Sequence, residues 1–255
     1  MTNELPTPRL SATMIVVREA GGDAPFEVLA ITRSKNLRVL PGFMVFPGGV
    51  LDDMDLQIAT SIVNNLDGGV PALFEVDAAD FKGSTLGRER LYASLFAAGA
   101  RELFEETGIY MGARHAGWIA KTSARADLLR GQGVEWQRAF ADESACFPHR
   151  YVGRRVTPIQ VKFRFDTHFF IVQVPKGTEA DPSPDEVESV VWSTPGDLLA
   201  RFEQDEIRMA PPTVDVLATL ERHRTLADLL GSATMPSQVN DDERIGKFLR
   251  QLYAN

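Results

Sequence analysis

Residues Ser94 to Ile109 read SLFAAGARELFEETGI, and the rest of the chain is understood outward from them. Arg101, Glu102, Glu105 and Glu106 crowd into one and a half turns of an expected helix. At about 100° per residue, the three glutamates share one sector about 100° wide. Tyr92, Phe96, Ala97, Ala100, Leu103 and Phe104 fill another, which predicts a helix with one buried face. Gly108 marks its C-cap, where a left-handed residue closes the last turn. Like charges at i, i+3 and i+4 repel by about 0.2–0.5 kcal/mol per pair, and Arg101 offsets part of that through Glu105. A divalent cation relieves the remainder, and hard carboxylate oxygens on a rigid element suit Mg²⁺ or Mn²⁺. On composition alone such a cluster is a solvated face; its surrounding text sets it apart.

Arg101 to Ile109, RELFEETGI, follows a Phe-Pro-Gly-Gly at Phe46 to Gly49. Together they resemble the Nudix box of the Nudix hydrolases, G-x5-E-x7-R-E-U-x-E-E-x-G-U with U bulky and aliphatic. The second half matches without a gap. An unbroken box from Gly49 would place its Arg at 63, so about 38 residues are inserted. Asp55 then stands where the first Glu of the box belongs, one methylene shorter. A register from Gly87 needs no insertion but puts Ala93 in that place and lacks the Phe-Pro-Gly-Gly, so the split box is preferred.

With 255 residues, 44% hydrophobic and 24% charged, the chain reads as one soluble domain able to bury a sizeable core. The expectation is a single domain over 1–255, with an insertion over about 56–92 and a helical insertion over about 121–149. A net charge of −8 disfavours a broad nucleic-acid or anionic-membrane surface. The lone Cys146 excludes an intrachain disulfide and a cysteine zinc cluster. MTNELPTPRL lacks the apolar core of a signal peptide, and no run approaches 18 apolar residues, so a cytoplasmic location and no membrane contact are expected.

Along the chain, Ser11 to Arg18 and Phe26 to Thr32 read as a hairpin about Gly21-Gly22-Asp23. A basic loop, Arg33 to Arg38, leads to a short strand over Met44-Val45-Phe46. Leu56, Ile58, Ala59, Ile62 and Val63 predict a helix inside the insertion, which would form a lid, a homodimer contact or simple packing. Short strands are expected near Tyr110 and Trp118, and a long one from Val161 to Val174. Val187 to Trp192 reads as a strand, Pro195 to Phe202 and Pro211 to Leu220 as helices with Pro in the first turn. Ile245, Phe248, Leu249 and Leu252 form a final helical stripe that docks on the body or meets a partner.

The resemblance implies an α+β fold, an α/β/α sandwich around a mixed sheet, and hydrolysis of a nucleoside diphosphate linked to another moiety. It implies that Glu102, Glu105 and Glu106 hold Mg²⁺ or Mn²⁺ with a carbonyl of Gly48, and that Arg101 orients the carboxylates. A loop carboxylate, Glu186 or Glu188, is a candidate base for the attacking water, beside the plainer reading of a solvated loop. Leu29, Arg33, Ser34, Arg38, Gly42 and Phe46 to Gly49 match the sequence preceding the box in coenzyme A diphosphatases; Ala30 and Ile31 depart from it. The split box and Arg164 to Phe170 look like the long, insertion-bearing branch of those enzymes. The substrate implied is a coenzyme A or acyl-coenzyme A, bound through Arg33, Ser34, Arg38, Phe46 and Gly49. Arg33, Lys35 and Arg38 could grip its phosphates or solvate a loop. Alternatives are an ADP-ribose or NADH diphosphatase, a Nudix-like nucleotide-binding domain without catalysis, and an RNA decapping enzyme, which the acidic surface disfavours.

Overall fold

The computed structural model describes residues 7–63, 69–75, 87–111, 118–119, 149–237 and 242–253. The expected helical insertion over about 121–149 and Cys146 lie almost wholly outside them. A mixed sheet forms the middle layer, in the order β3 (Met44–Val45), β2 (Phe26–Arg33), β1 (Arg9–Glu19), β8 (Phe165–Gln173) and β7 (His149–Val156). β1 (Arg9–Glu19) runs through its centre, parallel to β8 (Phe165–Gln173) along one whole edge. Its other edge is shared: β4 (Gly48–Val50) pairs with Ser11 to Thr13, and β2 (Phe26–Arg33) with Val17 to Glu19. β3 (Met44–Val45) and β9 (Val187–Ser193) lie antiparallel on β2, and β7 (His149–Val156) antiparallel on β8. Alternation along a strand sends Ala12, Met14 and Val16 to one face and Ile15 and Val17 to the other.

The first face is covered by α1 (Asp53–Val63) and α2 (Arg88–Thr107), and the second by α3 (Pro195–Glu203), α4 (Pro211–Leu220) and α5 (Leu226–Ser232). α6 (Asp242–Tyr253) reaches the second face beside β3, with Phe248 edge-on to Phe43 at 5.9 Å. This is the expected α/β/α sandwich. A small ribbon, β5 (Ile109–Tyr110) with β6 (Trp118–Ile119), follows α2.

α2 begins at Arg88, earlier than the apolar sector suggests, and ends where expected. Gly108 has φ 70° and donates its N–H to the Phe104 carbonyl at 2.9 Å. Every residue from Leu91 to Arg101 is buried, because α1 covers the side the sheet leaves open. The insertion therefore builds core. Its Phe74 packs edge-on against Tyr92 and Tyr151, at ring distances of 5.0 and 5.4 Å.

One local reading is corrected and two elements are added. The strand expected from Val161 starts only at Phe165, because a turn closes from the Val161 N–H to the Pro158 carbonyl. His149 to Val156 is a full strand, bulged between Tyr151 and Gly153, a break that masks its alternation. Leu226 to Ser232 is a helix that the periodicity does not announce; the Thr225 hydroxyl caps it, accepting from the Asp228 N–H at 3.0 Å.

Candidate active site

The last two turns of α2 carry the charged residues to the point where β4, α1 and the loop before β9 meet. Arg101 is the hub. Its Nε and Nη2 donate to the two Asp55 oxygens, each at 3.0 Å, in a bidentate pair that seals α1 to α2. Nη1 donates to Glu102 at 2.8 Å and to Glu105 at 3.2 Å, and Nη2 also reaches the Val50 carbonyl at 3.0 Å. One guanidinium thus ties the first inserted helix, the sheet edge and two glutamates together. Asp55 is fully buried, so the residue one methylene shorter than the box calls for is engaged directly with the Arg of the box.

The Phe46 to Gly49 corner holds the third glutamate. The Gly48 N–H donates to Glu106 at 3.0 Å, and Arg33 pairs with its other oxygen at 3.4 Å while its Nε bonds the Val39 carbonyl. At Gly49 an added Cβ would overlap the Glu102 carboxyl, so a larger residue would have to push that carboxylate out of its place beside β4. The loop before β9 is pinned to the end of the helix: the Asp181 N–H donates to the Thr107 carbonyl at 2.7 Å, and the Ser183 N–H to that of Glu106 at 2.9 Å. This brings the exposed Glu186 close enough for its charge to act on Glu102, Glu105 and Glu106.

Burial is the first cause of every shift in this cluster. It raises Glu105 to about 7, against the pull of Arg101 and with added repulsion from Glu102 and Glu186. It raises Glu106 well above the carboxylate range, helped by Glu102 and opposed by Arg33 and the Gly48 N–H. Glu102 and Asp55 are raised by burial and drawn back by Arg101. Burial lowers the guanidinium, but Asp55, Glu102 and Glu105 more than reverse that, leaving Arg101 raised. The carboxyls of Asp55, Glu102, Glu105, Glu106 and Glu186 thus face the guanidiniums of Arg101 and Arg33, an excess of negative charge.

A family profile described as the NUDT19 Nudix domain matches residues 7–220. The chain belongs to the Nudix family. It is 27% identical over 249 residues to a Gallus gallus protein named acyl-coenzyme A diphosphatase NUDT19, covering 82% of this chain and 64% of that protein's length. It is also similar to a crystal structure of a Nudix hydrolase from Alicyclobacillus acidocaldarius, with a TM-score of 0.71, 28% identity, and coverage of 90% of this chain and 98% of that one.

Nudix hydrolases use divalent metals, and the donor chemistry here fits one. Glu102 and Glu105 keep 17% and 18% of their side-chain surface open, and their oxygens are hard. The excess charge just described is what a cation would relieve. Among the described residues no three carboxylates already converge as a cage. The reason is visible: Arg101 holds Glu102 and Glu105, and Gly48 with Arg33 holds Glu106.

The other expected site residues divide. Ser34 is a loop former: its N–H donates to the Glu186 carbonyl and its hydroxyl accepts from the Asn36 N–H. Lys35 pairs at the surface with Glu188, 3.2 Å away. Arg38 and Phe46 instead border a cavity of about 350 Å³ on the second face of the sheet. Sequence reading missed Val50, Asp181 and Ser183, which act through backbone groups and carry no side-chain signature. Only the Pro-rich loop itself could have flagged the last two.

Proposed function

We propose that the chain is a Nudix diphosphatase that hydrolyses coenzyme A or acyl-coenzyme A to 3′,5′-ADP and (acyl-)4′-phosphopantetheine. The observation that carries it is the closed constellation of Arg101, Asp55, Gly48 and three glutamates, built by a chain whose relative is named for that reaction. The match of Arg33, Ser34, Arg38, Gly42 and Phe46 to Gly49 to the segment before the box supports the same substrate. The chain is read as one domain over 1–255, with α1 and Phe74 contributed by the insertion that splits the box.

In this reading Glu102, Glu105 and Glu106, with a carbonyl of Gly48, would hold Mg²⁺ or Mn²⁺. Bound there, the cation neutralises diphosphate oxygens and makes a water more acidic. Arg101 keeps two carboxylates aimed along one face, and Asp55 keeps Arg101 from turning away. Arg33 adds positive charge beside Glu106, where the diphosphate becomes more negative as the bridge breaks. Glu186, exposed and mounted on a loop pinned to α2, takes the proton from the attacking water. A new P–O bond forms from that water, the bridging P–O bond breaks, and both products leave as phosphate monoesters.

The test is a chromatographic panel of coenzyme A, NADH, ADP-ribose and a capped dinucleotide, each with Mg²⁺ or Mn²⁺. The expected result is 3′,5′-ADP and phosphopantetheine as the dominant products. A wide preference for ADP-ribose or NADH would overturn the substrate, and ligand-induced melting shifts without any product would overturn the enzyme.

A further inference from the structure

We propose that Arg208 is a positioning residue for the active site: braced by α6, it fixes the turn at Leu40 to Gly42 and so keeps the Arg33 guanidinium beside Glu106. The inference rests on the reading above, in which Arg33 faces the diphosphate, and gives α6 a part in the same site. The turn is one that its own sequence resists. Leu40 has φ 50° and Gly42 φ 68°, so both residues flanking Pro41 lie in the left-handed region. A leucine seldom adopts it, and a residue before proline favours extended backbone. Such a conformation persists where the surroundings over-determine it.

Within the loop, the Phe43 N–H donates to the Leu40 carbonyl at 3.2 Å and the Gly42 N–H to that of Arg33 at 3.0 Å. Arg208 adds a hold from outside. Its Nη2 donates to the Pro41 carbonyl at 3.3 Å, and its guanidinium carbon lies 5.1 Å from the centre of the Phe43 ring. The fit is close, since a Cβ added at Gly42 would stand 2.7 Å from Nη2. The same few residues anchor Arg33. Its N–H donates to the Phe43 carbonyl at 2.9 Å and its Nε to the Val39 carbonyl at 3.1 Å, leaving Nη1 to meet Glu106 at 3.4 Å. A shift of the turn therefore moves the anchors of the guanidinium, and with them the charge it places at the diphosphate.

Arg208 is itself fixed from two sides. Its carbonyl accepts from the Met44 N–H at 2.8 Å, and Met209 forms a parallel bridge with Met44, which ties this backbone to β3. Its other arm, Nη1, reaches the Gln251 carbonyl of α6 at 3.5 Å. α6 is secured to the same neighbourhood: Lys247 pairs with Asp205 at 3.0 Å and lies over the Phe202 ring at 4.4 Å, and Phe248 meets Phe43 edge-on. The helix whose apolar stripe left its role open thus closes on the two segments, 202–208 and 41–43, that set the turn.

The test is a double-mutant cycle in the full chain, with Arg208→Gln and Arg33→Gln made singly and together and each variant checked by its melting temperature. Turnover is read on whichever diphosphate of the panel above is hydrolysed best. Arg208→Gln should lower kcat/KM about tenfold while Arg33 is present, as a small displacement of a group at the reacting centre does, and less than about twofold once Arg33 is Gln. The same loss in both backgrounds would mark a merely structural role and overturn the inference, as would undiminished turnover in Arg208→Gln. Phe248→Ala loosens the brace from α6 and should cost about threefold, again only with Arg33 present; an undiminished rate there overturns the part given to α6. Hydrogen exchange reads the turn without catalysis. The Gly42 and Phe43 amides should exchange about tenfold faster in Arg208→Gln while those of α2 keep their rates, and unchanged turn amides overturn the inference. If no diphosphate is hydrolysed, the functional reading fails by itself, and exchange alone decides whether Arg208 holds the turn.

Discussion

Phe169 and Phe170 are neighbours on β8 and face opposite layers. Phe170 is fully buried against the rings of Tyr92, Phe96 and Tyr151, each within 5.6 Å, under α2. Phe169 borders the cavity under α4 and α6. The described aromatics on the α2 face meet ring to ring, whereas on the other face Phe169 borders open space. A charge cluster needs neighbours that cannot yield, whereas apolar side chains that leave a gap forfeit contacts. One sheet carries both situations, one on each side.

The largest expected effect breaks the charged face at its centre. Glu106→Gln keeps the shape and an acceptor for the Gly48 N–H but removes the charge that Arg33 and a cation would meet. We expect kcat to fall by about 10²–10⁴-fold and the melting temperature to hold or rise, since burial already disfavours that carboxylate. Glu105→Gln should behave alike. Steady-state assays with saturating Mg²⁺, beside thermal melts, check both; undiminished turnover would remove these residues from the chemistry.

Asp55→Asn tests what keeps that face rigid. It leaves Arg101 buried with one anionic partner fewer, which costs about 3–5 kcal/mol. Urea unfolding should show the loss, and activity should fall as Glu102 and Glu105 lose their fixed guanidinium. Asp55→Glu restores the charge in a fully closed site and should cost less, about 1–3 kcal/mol from overpacking, while keeping most of the turnover. A stable, fully active Asp55→Asn would show that the pair with Arg101 organises nothing.

The two faces also differ in how far they could be read in advance. α2 was legible because like charges at helical spacing beside an apolar sector are an anomaly with few solutions. The hairpin, β9, α3 and α4 were legible from alternation and from proline at helix starts. β7 was not, because its bulge breaks the alternation, and the start of β8 was misplaced because apolar residues in a turn look like apolar residues in a strand. The contact of Asp55 with Arg101 spans 46 positions and could be guessed only from the spacing of the box. The cavity was invisible: Val161, Phe163 and Phe248 look like core, and whether apolar side chains meet or leave a gap is decided by tertiary packing.

A direct measure of that gap is the pair of neighbours themselves. Phe170→Ala should cost about 3–5 kcal/mol, as a close-packed aromatic does. Phe169→Ala should cost about 1–2 kcal/mol less, because part of its surroundings is already empty and those contacts were never made. Equal losses in urea titrations of the two variants would mean that both faces are equally tight.

The smallest effect sharpens the contrast within the tight face. His168, fully buried on β8, meets the Tyr151 hydroxyl at 2.9 Å through Nδ1, while its Nε2 has no partner among the described residues. Burial, then the charge of Arg154, pushes its imidazole down to about 3. Asp166 lies 3.7 Å from Nε2 but is already held at both oxygens by Arg154, so it offers no relief. Below pH 6.5 the unfolded chain therefore takes a proton at His168 that the folded chain refuses. The stability His168 allows is fully present above pH 6.5 and is lost as pH falls towards 3, by about 1.4 kcal/mol per unit. Glu105 has the opposite sign: raised to about 7, it favours the folded state below pH 4.5 and loses that advantage as pH rises through 7. In urea titrations between pH 7.5 and 5 with EDTA present, each variant is read against the unmutated chain: acidification should stabilise His168→Gln more, and Glu105→Gln less, than the unmutated chain. At the charged end of α2 burial favours the protonated carboxyl, whereas at His168 burial and Arg154 disfavour the protonated imidazole, so the two ends of this face answer acid with opposite signs.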